Sequence, residues 1–351
     1  MHVNDTIAPQ ALAQLQSRPR HYLGYLPTPL VPLPRITAHC GGPQIWIKRD
    51  DCTGLATGGN KTRKLEYLLG DALAQGCDTL VSVGALQSNH ARQVAAAGAT
   101  AGLKVHLVLT DSVPGRGADY AVLGNIQLCR LLGAQIHRID GNADVPAACE
   151  AVVAQLRDRG AKPYFIPMGG SNGMGSLGYV NAFTELHQQM QEKQANLDAV
   201  VLASGSGGTQ AGLMLGAALA QWQGRIHGVS VGPTLDVVTQ RIRSAASDAA
   251  ALLGVASEAV AALPLHMDLD CKGPHYGIPD AQTYKAVELA AQLEGVVLDP
   301  VYSGKGFAGL LKACSKGGEL HSAQHVVFVH TGGAAALSAY PEVGNTPAAL
   351  D

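Results

Sequence analysis

Apolar and polar positions follow two rhythms along this chain. Short β-branched runs that read as strands fall at Ile45–Lys48, Thr79–Val83, Val105–Leu109, Gln135–Ile139, Tyr164–Ile166, Ala199–Ala203, Arg225–Val231 and His325–His330. Between them lie longer Ala-rich stretches with helical spacing: Lys61–Gln75, His90–Ala101, Ala147–Arg159, Thr209–Gln221, Ala281–Leu293 and Gly306–Ser315. Alternating strands and helices predict an α/β fold with parallel sheets covered on both faces. No repeat of fixed period and no low-complexity linker divides the chain. An inserted domain is therefore expected rather than two sequential ones. Ligands of open α/β sheets sit beyond the carboxyl ends of strands, so the chemistry belongs in the loops that follow them.

Composition narrows the class. At 351 residues the chain is long enough for two domains, and with 47% apolar and 15% charged residues it is an ordinary globular protein. A net charge of −2, with no run of five Lys or Arg, gives no reason to expect nucleic acid or a membrane surface as a partner. The longest apolar stretch, Ala199–Trp222, is interrupted by SGSGGTQ, and the first twenty residues carry no apolar segment of signal-peptide type. Seven scattered Cys without a CxxC, and 13 His without an HExxH, argue against a disulfide framework or a metal site. A soluble protein of the reducing cytoplasm is expected.

Three loops after strands or before helices could carry chemistry. Ser204–Thr209 (SGSGGT) leaves a strand and opens a helix, where glycine N–H groups and the helix dipole favour an anion; a plain tight turn is the alternative. Thr57–Lys64 (TGGNKTRK) puts Lys61 and Lys64 on one helix face at i, i+3, and cations at a helix N-terminus oppose its dipole. That cost implies a nearby anion or a lysine kept partly neutral, unless the face is simply solvated. Gly84–His90 (GALQSNH) offers Ser88 and Asn89 either to a ligand or as a helix cap. Later loops hold Tyr276 and Tyr302, phenols suited to proton transfer or to ordinary packing. Two further matches read as decoys. Gly169–Gly173 fits G-x-S-x-G and Gly173–Gly178 fits G-x-G-x-x-G, but Pro167 and Met168 separate them from their strand. Overlapping glycine motifs of this kind predict a flexible loop. A serine hydrolase or a nicotinamide enzyme would rest on those decoys alone.

Taken together, WIKRDD, GGNKTRKLE, GALQSNHARQ, SGSGGTQAG, YGIP, LEGVVLDPVYSGKG and FVHTGG resemble one family from about Leu26 to Tyr340. It is the group of D-cysteine desulfhydrases, L-cysteate sulfo-lyases and 1-aminocyclopropane-1-carboxylate (ACC) deaminases. These are pyridoxal 5′-phosphate (PLP) enzymes of fold type II, the tryptophan synthase β-like fold. The resemblance implies a larger PLP-binding domain (1–55 plus 168–351), a smaller inserted α/β domain (56–167), PLP between them, and a homodimer. The segment from about Thr234 to Leu269 departs from the family pattern.

The resemblance also implies roles. Lys61 would bond the cofactor and shuttle a proton. Gly205, Ser206, Gly207, Gly208 and Thr209 would cradle the phosphate, helped by Lys64, with Asn60 beside them. Asn89 would bond the ring oxygen and Thr331 would meet the pyridine nitrogen. Gln87, Ser88, Asn89 and His90 would bind the substrate, with Ser88 holding its carboxylate and serving as proton donor or nucleophile. Tyr276 and Tyr302 would face the substrate side chain. No metal is implied. Where ACC deaminases carry Glu, Leu and Gln, this chain has Ser303, Thr331 and His90. A hydroxyl near the ring nitrogen makes a weaker electron sink. The expectation is therefore α,β-elimination of sulfide or sulfite from D-cysteine or L-cysteate, with ACC deamination as the alternative. Asp51–Leu55, Thr57 and Tyr179–Asn181 lean toward the sulfo-lyases. A non-catalytic phosphate-ligand binder is the rival from another class.

Overall fold

A computed structural model describes residues 4–344. Among the described residues ten strands form two sheets. The strands are β1 (Leu30–Pro32), β2 (Gln44–Lys48), β3 (Thr79–Ala85), β4 (Lys104–Asp111), β5 (Gln135–Asp140), β6 (Pro163–Ile166), β7 (Ala199–Ser204), β8 (Arg225–Ser230), β9 (His266–Asp268) and β10 (His325–Val329). The larger sheet has the order β1-β2-β10-β7-β8-β9, parallel except for β1, which runs against β2. The smaller has the order β5-β4-β3-β6, parallel throughout. All four of its strands come from residues 79–166, and the larger sheet is built from the chain on either side. The outer limits of the expected larger domain, residues 1–3 and 345–351, lie outside the described residues.

The eight expected strands form within a residue or two of their expected ends, because runs such as AVVLAS are buried on both faces beneath helices. The helices are α1 (Asn4–Ser17), α2 (Pro34–Cys40), α3 (Lys61–Ala74), α4 (Asn89–Ala101), α5 (Asn125–Leu131), α6 (Val145–Asp158), α7 (Gly173–Glu192), α8 (Gly208–Leu219), α9 (Leu235–Leu252), α10 (Ser257–Ala261), α11 (Ala281–Glu294) and α12 (Ser303–Cys314). Local chemistry sets their starts. Asp144 accepts from Ala147 N to begin α6, and Asp280 accepts from Thr283 N to begin α11.

The expected flexible loop at residues 173–178 is corrected. Those glycines open α7, a 20-residue helix capped by Asn172. They serve close packing. A side-chain carbon on Gly178 would fall 2.2 Å from Arg63 O of α3, and one on Gly175 would fall 2.0 Å from Gly170 O. Helix α7 thereby bridges α3, at whose start Lys61 lies, and α8, which follows the glycine loop.

Topology fixes where a ligand can sit. In the smaller sheet the order reverses at β3, flanked by β4 and β6. In the larger it reverses at β7, flanked by β8 and β10. The crevices beyond the carboxyl ends of β3 and β7 are the places α/β sheets use for binding.

Candidate active site

Lys61 is the first residue of α3, and Asn60 precedes it. The Lys61 ammonium donates to Asn60 Oδ1 at 2.9 Å. Burial, reinforced by the nearby Arg92 guanidinium, pulls its pKa down to about 8 against the opposing pull of Asp299. Lys61 is part-buried and Arg63 and Lys64 are fully buried, so the basic start of α3 is not a solvated face. The Lys64 ammonium donates to Gly169 O (3.1 Å) and Ser171 Oγ (3.0 Å), and burial followed by Lys61 holds its pKa well below the usual lysine range.

Beyond β7 the chain turns through Gly207, whose φ of 87° favours glycine, and enters α8. A side-chain carbon on Gly207 would lie 2.9 Å from Ile242 N, and one on Gly208 would lie 2.7 Å from Ser171 Oγ. Ser171 Oγ is 2.7 Å from Ser206 Oγ and accepts from Gly208 N at 3.2 Å. Asn60 Nδ2 donates to Thr209 Oγ1 at 3.0 Å, joining the start of α3 to the start of α8. Ser204 Oγ is buried without a protein partner.

Beyond β3, Ser88 is the cap of α4 and accepts from Ala91 N at 3.1 Å. Asn89 Oδ1 accepts from Arg92 Nη1 and Asn125 Nδ2, both at 2.9 Å, which leaves its amide N–H groups for a ligand. His90 Nε2 sits 2.9 Å from Ser82 Oγ, and burial with Lys61 and Lys64 nearby keeps the ring neutral. Gln87 turns the other way. Its amide donates to Tyr120 O and Leu123 O and accepts from Asn125 N.

These loops enclose one cavity of about 420 Å³. Its wall includes Asn60, Lys61, Ser88, Asn89 and His90 from one side, and Gly205, Ser206, Gly207 and Thr209 from the other. Tyr276, Tyr302 and Thr331 also line it. The two phenol oxygens are 2.5 Å apart. Burial raises the pKa of both phenols well above the ordinary value. Gln87, Lys64, Gly208 and Ser303 are not on the wall. Reasoning from sequence passed over Arg92, which donates to Gly58 O at 2.7 Å as well as to Asn89, and Ser171, which links Lys64 to the glycine loop. It also passed over Arg241, on the wall where its guanidinium bonds Gly205 O. Arg92 lies three residues after Asn89 on α4, a spacing that places the two on one helix face.

A family model described as "Pyridoxal-phosphate dependent enzyme" matches residues 22–332. The chain belongs to that family. The cofactor of this PLP-dependent enzyme is pyridoxal phosphate, and the fold is PLP fold type II. The chain is 41% identical over 334 residues to a 1-aminocyclopropane-1-carboxylate deaminase of Burkholderia vietnamiensis, covering 94% of this chain and 98% of the relative. It is 41% identical over 331 residues to the one of Burkholderia cenocepacia, covering 93% and 97%. A crystal structure of an ACC deaminase homologue superposes with a TM-score of 0.85 at 36% identity, covering 97% of this chain and 98% of the other. A threonine deaminase, at TM-score 0.63 and 18% identity over 93% of this chain and 97% of the other, shares the fold.

The PLP enzyme's cavity fits its cofactor. An aldehyde needs an amine that is partly neutral near pH 7, as Lys61 is. A phosphate needs converging N–H groups at a helix N-terminus, where side chains on Gly207 or Gly208 would intrude. The relatives overturn the expectation of a carbon–sulfur lyase, because the two that are 41% identical over 94% and 93% of the chain are ACC deaminases. The geometry also removes part of its basis. The Ser303 hydroxyl donates to Asp299 Oδ2 at 2.6 Å and accepts from Asp299 N at 2.8 Å, so it does not face a ring in the cavity. Among the described residues no helix is long and apolar enough to cross a membrane.

Proposed function

We propose that this enzyme deaminates ACC, opening its three-membered ring to give a four-carbon 2-oxo acid and ammonia with uptake of one water. The observation that carries the reading is 41% identity to ACC deaminases over 94% of the chain. ACC has no hydrogen on Cα, so a ring carbon–carbon bond must break and a ring methylene must gain a proton. When bound, PLP supplies an electron sink conjugated to the substrate nitrogen.

The chain's own residues do the rest. Lys61, with its pKa near 8, offers a neutral fraction to bond the cofactor and to move a proton afterwards. The Gly205–Thr209 turn and the dipole of α8 would hold the phosphate. Lys64 supports that turn from behind through Ser171. Ser88, the Asn89 amide and the N-terminus of α4 hold the substrate carboxylate. Tyr276 and Tyr302 stay protonated at neutral pH because burial raises both, which suits them to donate a proton rather than to remove one. Their 2.5 Å contact lets one phenol recharge the other.

The test is release of 2-oxo acid and ammonia, in equal amounts, from ACC by the holoenzyme, with D-cysteine and L-cysteate offered in parallel. Turnover of ACC above both supports the reading. An enzyme silent toward ACC that releases pyruvate from either sulfur amino acid sinks it.

A further inference from the structure

Lys305 is fully buried in the first turn of α12, three residues after Tyr302. Its ammonium meets carbonyls rather than carboxylates. Nζ donates to Val231 O at 3.2 Å, Lys272 O at 2.5 Å and His275 O at 3.1 Å. An ammonium has three N–H donors, and these carbonyls occupy all of them. Two of the acceptors stand immediately before residues that touch one another. A side-chain carbon on Gly232 would lie 3.0 Å from Tyr276 Cβ, so Gly232 is the surface on which Tyr276 rests. Tyr276 in turn reaches Tyr302, the residue that caps the helix carrying Lys305.

We propose that Lys305 is a positioning residue for the tyrosine pair, an internal cation that gathers the peptides before Gly232 and Tyr276 onto α12 so that the two phenols meet at the cavity. Burial lowers its pKa to about 8 despite the carboxylates of Asp280 and Asp299. A methionine of similar volume would fill the space without that cost. The loop has other moorings, since Arg116 Nη2 and Tyr340 OH both donate to Gly277 O, at 2.9 and 3.1 Å. Loss of Lys305 should therefore leave the loop attached and Tyr276 misplaced.

The inference rests on the reading of the tyrosines as groups that act on substrate, whichever amino acid the enzyme turns over. The experiment compares Lys305→Met, Lys305→Gln, Tyr276→Phe and the Lys305→Met/Tyr276→Phe double variant as holoenzymes. It reads kcat and KM with ACC, or with whichever of ACC, D-cysteine and L-cysteate the wild type turns over fastest, and the PLP Kd by absorbance titration. Lys305→Met should lower kcat roughly 10- to 100-fold, the effect of an ångström-scale misplacement. KM and PLP affinity should hardly change. Lys305→Gln, which keeps two N–H donors, should lose less. The double variant should be no worse than the worse single, because both changes disable one device. Losses that multiply in the double variant overturn the proposal, and so does a folded Lys305→Met with wild-type kcat. If both Lys305 variants fail to fold or to bind PLP, the residue belongs to the core and the proposal is likewise overturned. A silent Tyr276→Phe sinks the reading of the tyrosines and the inference with it; an impaired Tyr276→Phe beside silent Lys305 variants sinks the inference alone.

Discussion

Two of the three cations that open helix α3, Lys61 and Arg63, lie two residues apart and meet opposite fates. Arg63 enters a closed ionic cluster. It bonds Asp50 through Nε and Nη2 at 2.9 Å and Glu185 through Nη1 and Nη2 at 2.9 and 2.8 Å. Lys48 bonds the same glutamate at 2.5 Å, and Tyr179 bonds Asp50 at 2.5 Å. Burial pushes the Asp50 carboxyl up, but Arg63 outweighs it and holds the group below the usual carboxylate range. Lys61 has no such partner. It bonds an amide and faces a guanidinium and a cavity, Asp299 acts on it without a hydrogen bond, and its pKa falls to about 8. A buried cation given carboxylates stays charged and holds the fold. One denied them becomes partly neutral, and where it opens on a cavity, as Lys61 does, it is available for chemistry.

The comparison breaks most sharply at Lys61 itself. Lys61→Met should lower kcat roughly 10³-fold or more, as expected when proton transfer is removed together with covalent anchoring. A kcat within tenfold of wild type would contradict the assignment. On the other side, Asp50→Ala should leave Arg63 under-paired in the core. The expected loss is about 3–5 kcal/mol of stability, read by chemical denaturation of the apoenzyme. A loss below about 1 kcal/mol would mean the cluster is ornamental. Because the Asp50 pKa is depressed on folding, its contribution is present above the ordinary value of 3.8 and is lost as pH falls through the folded value below it.

A smaller effect sharpens the contrast through pH. The folded apoenzyme holds Lys61 near pKa 8, whereas the unfolded chain holds it at 10.5. The unfolded state binds the extra proton between those values, so this residue's contribution makes stability rise with pH across that window. Below about pH 8 the cost of burying the ammonium is fully present, about 3 kcal/mol. Apo Lys61→Met should therefore be the more stable protein at pH 7, with its advantage fading as pH climbs toward 10.5. An advantage constant from pH 7 to 10 would show that Lys61 is not a strained amine.

Much of this architecture was legible because buried parallel strands and their covering helices write long unambiguous patterns. Strands β1 and β9 were not legible, since each is a three-residue edge too short to show a period. Helix α7 was misread because glycines placed for contact with α3 look, in a sequence, like glycines placed for a turn. At the site, the residues next to strand ends could be nominated, but not which way each side chain faces. Gln87 sits in an expected motif yet bonds protein groups away from the cavity, Lys64 is held behind the wall by Gly169 and Ser171, and Ser303 turns to Asp299. Arg92 and Ser171 matter only through partners distant in sequence, Gly58 in one case and Lys64 in the other. Substrate choice was the hardest part to read. It was inferred from three side chains whose directions the sequence does not specify, and whole-chain similarity to ACC deaminases overturned it.

The smallest effect concerns Ser88, which is both a helix cap and part of the cavity wall. Its hydroxyl accepts from Ala91 N, and Gly84 leaves room for it, since a side-chain carbon there would lie 2.6 Å from Ser88 Oγ. Ser88→Ala should cost about 1 kcal/mol of stability through the lost cap. If the hydroxyl also holds the substrate carboxylate, KM should rise as well, while PLP affinity stays put. Ser88→Asn separates the two roles, because asparagine caps helices about as well as serine but is larger within the cavity. Stability restored with KM still raised assigns Ser88 to both tasks. Stability and KM restored together would make it a cap and nothing more, leaving the carboxylate to Asn89 and the N–H groups of α4.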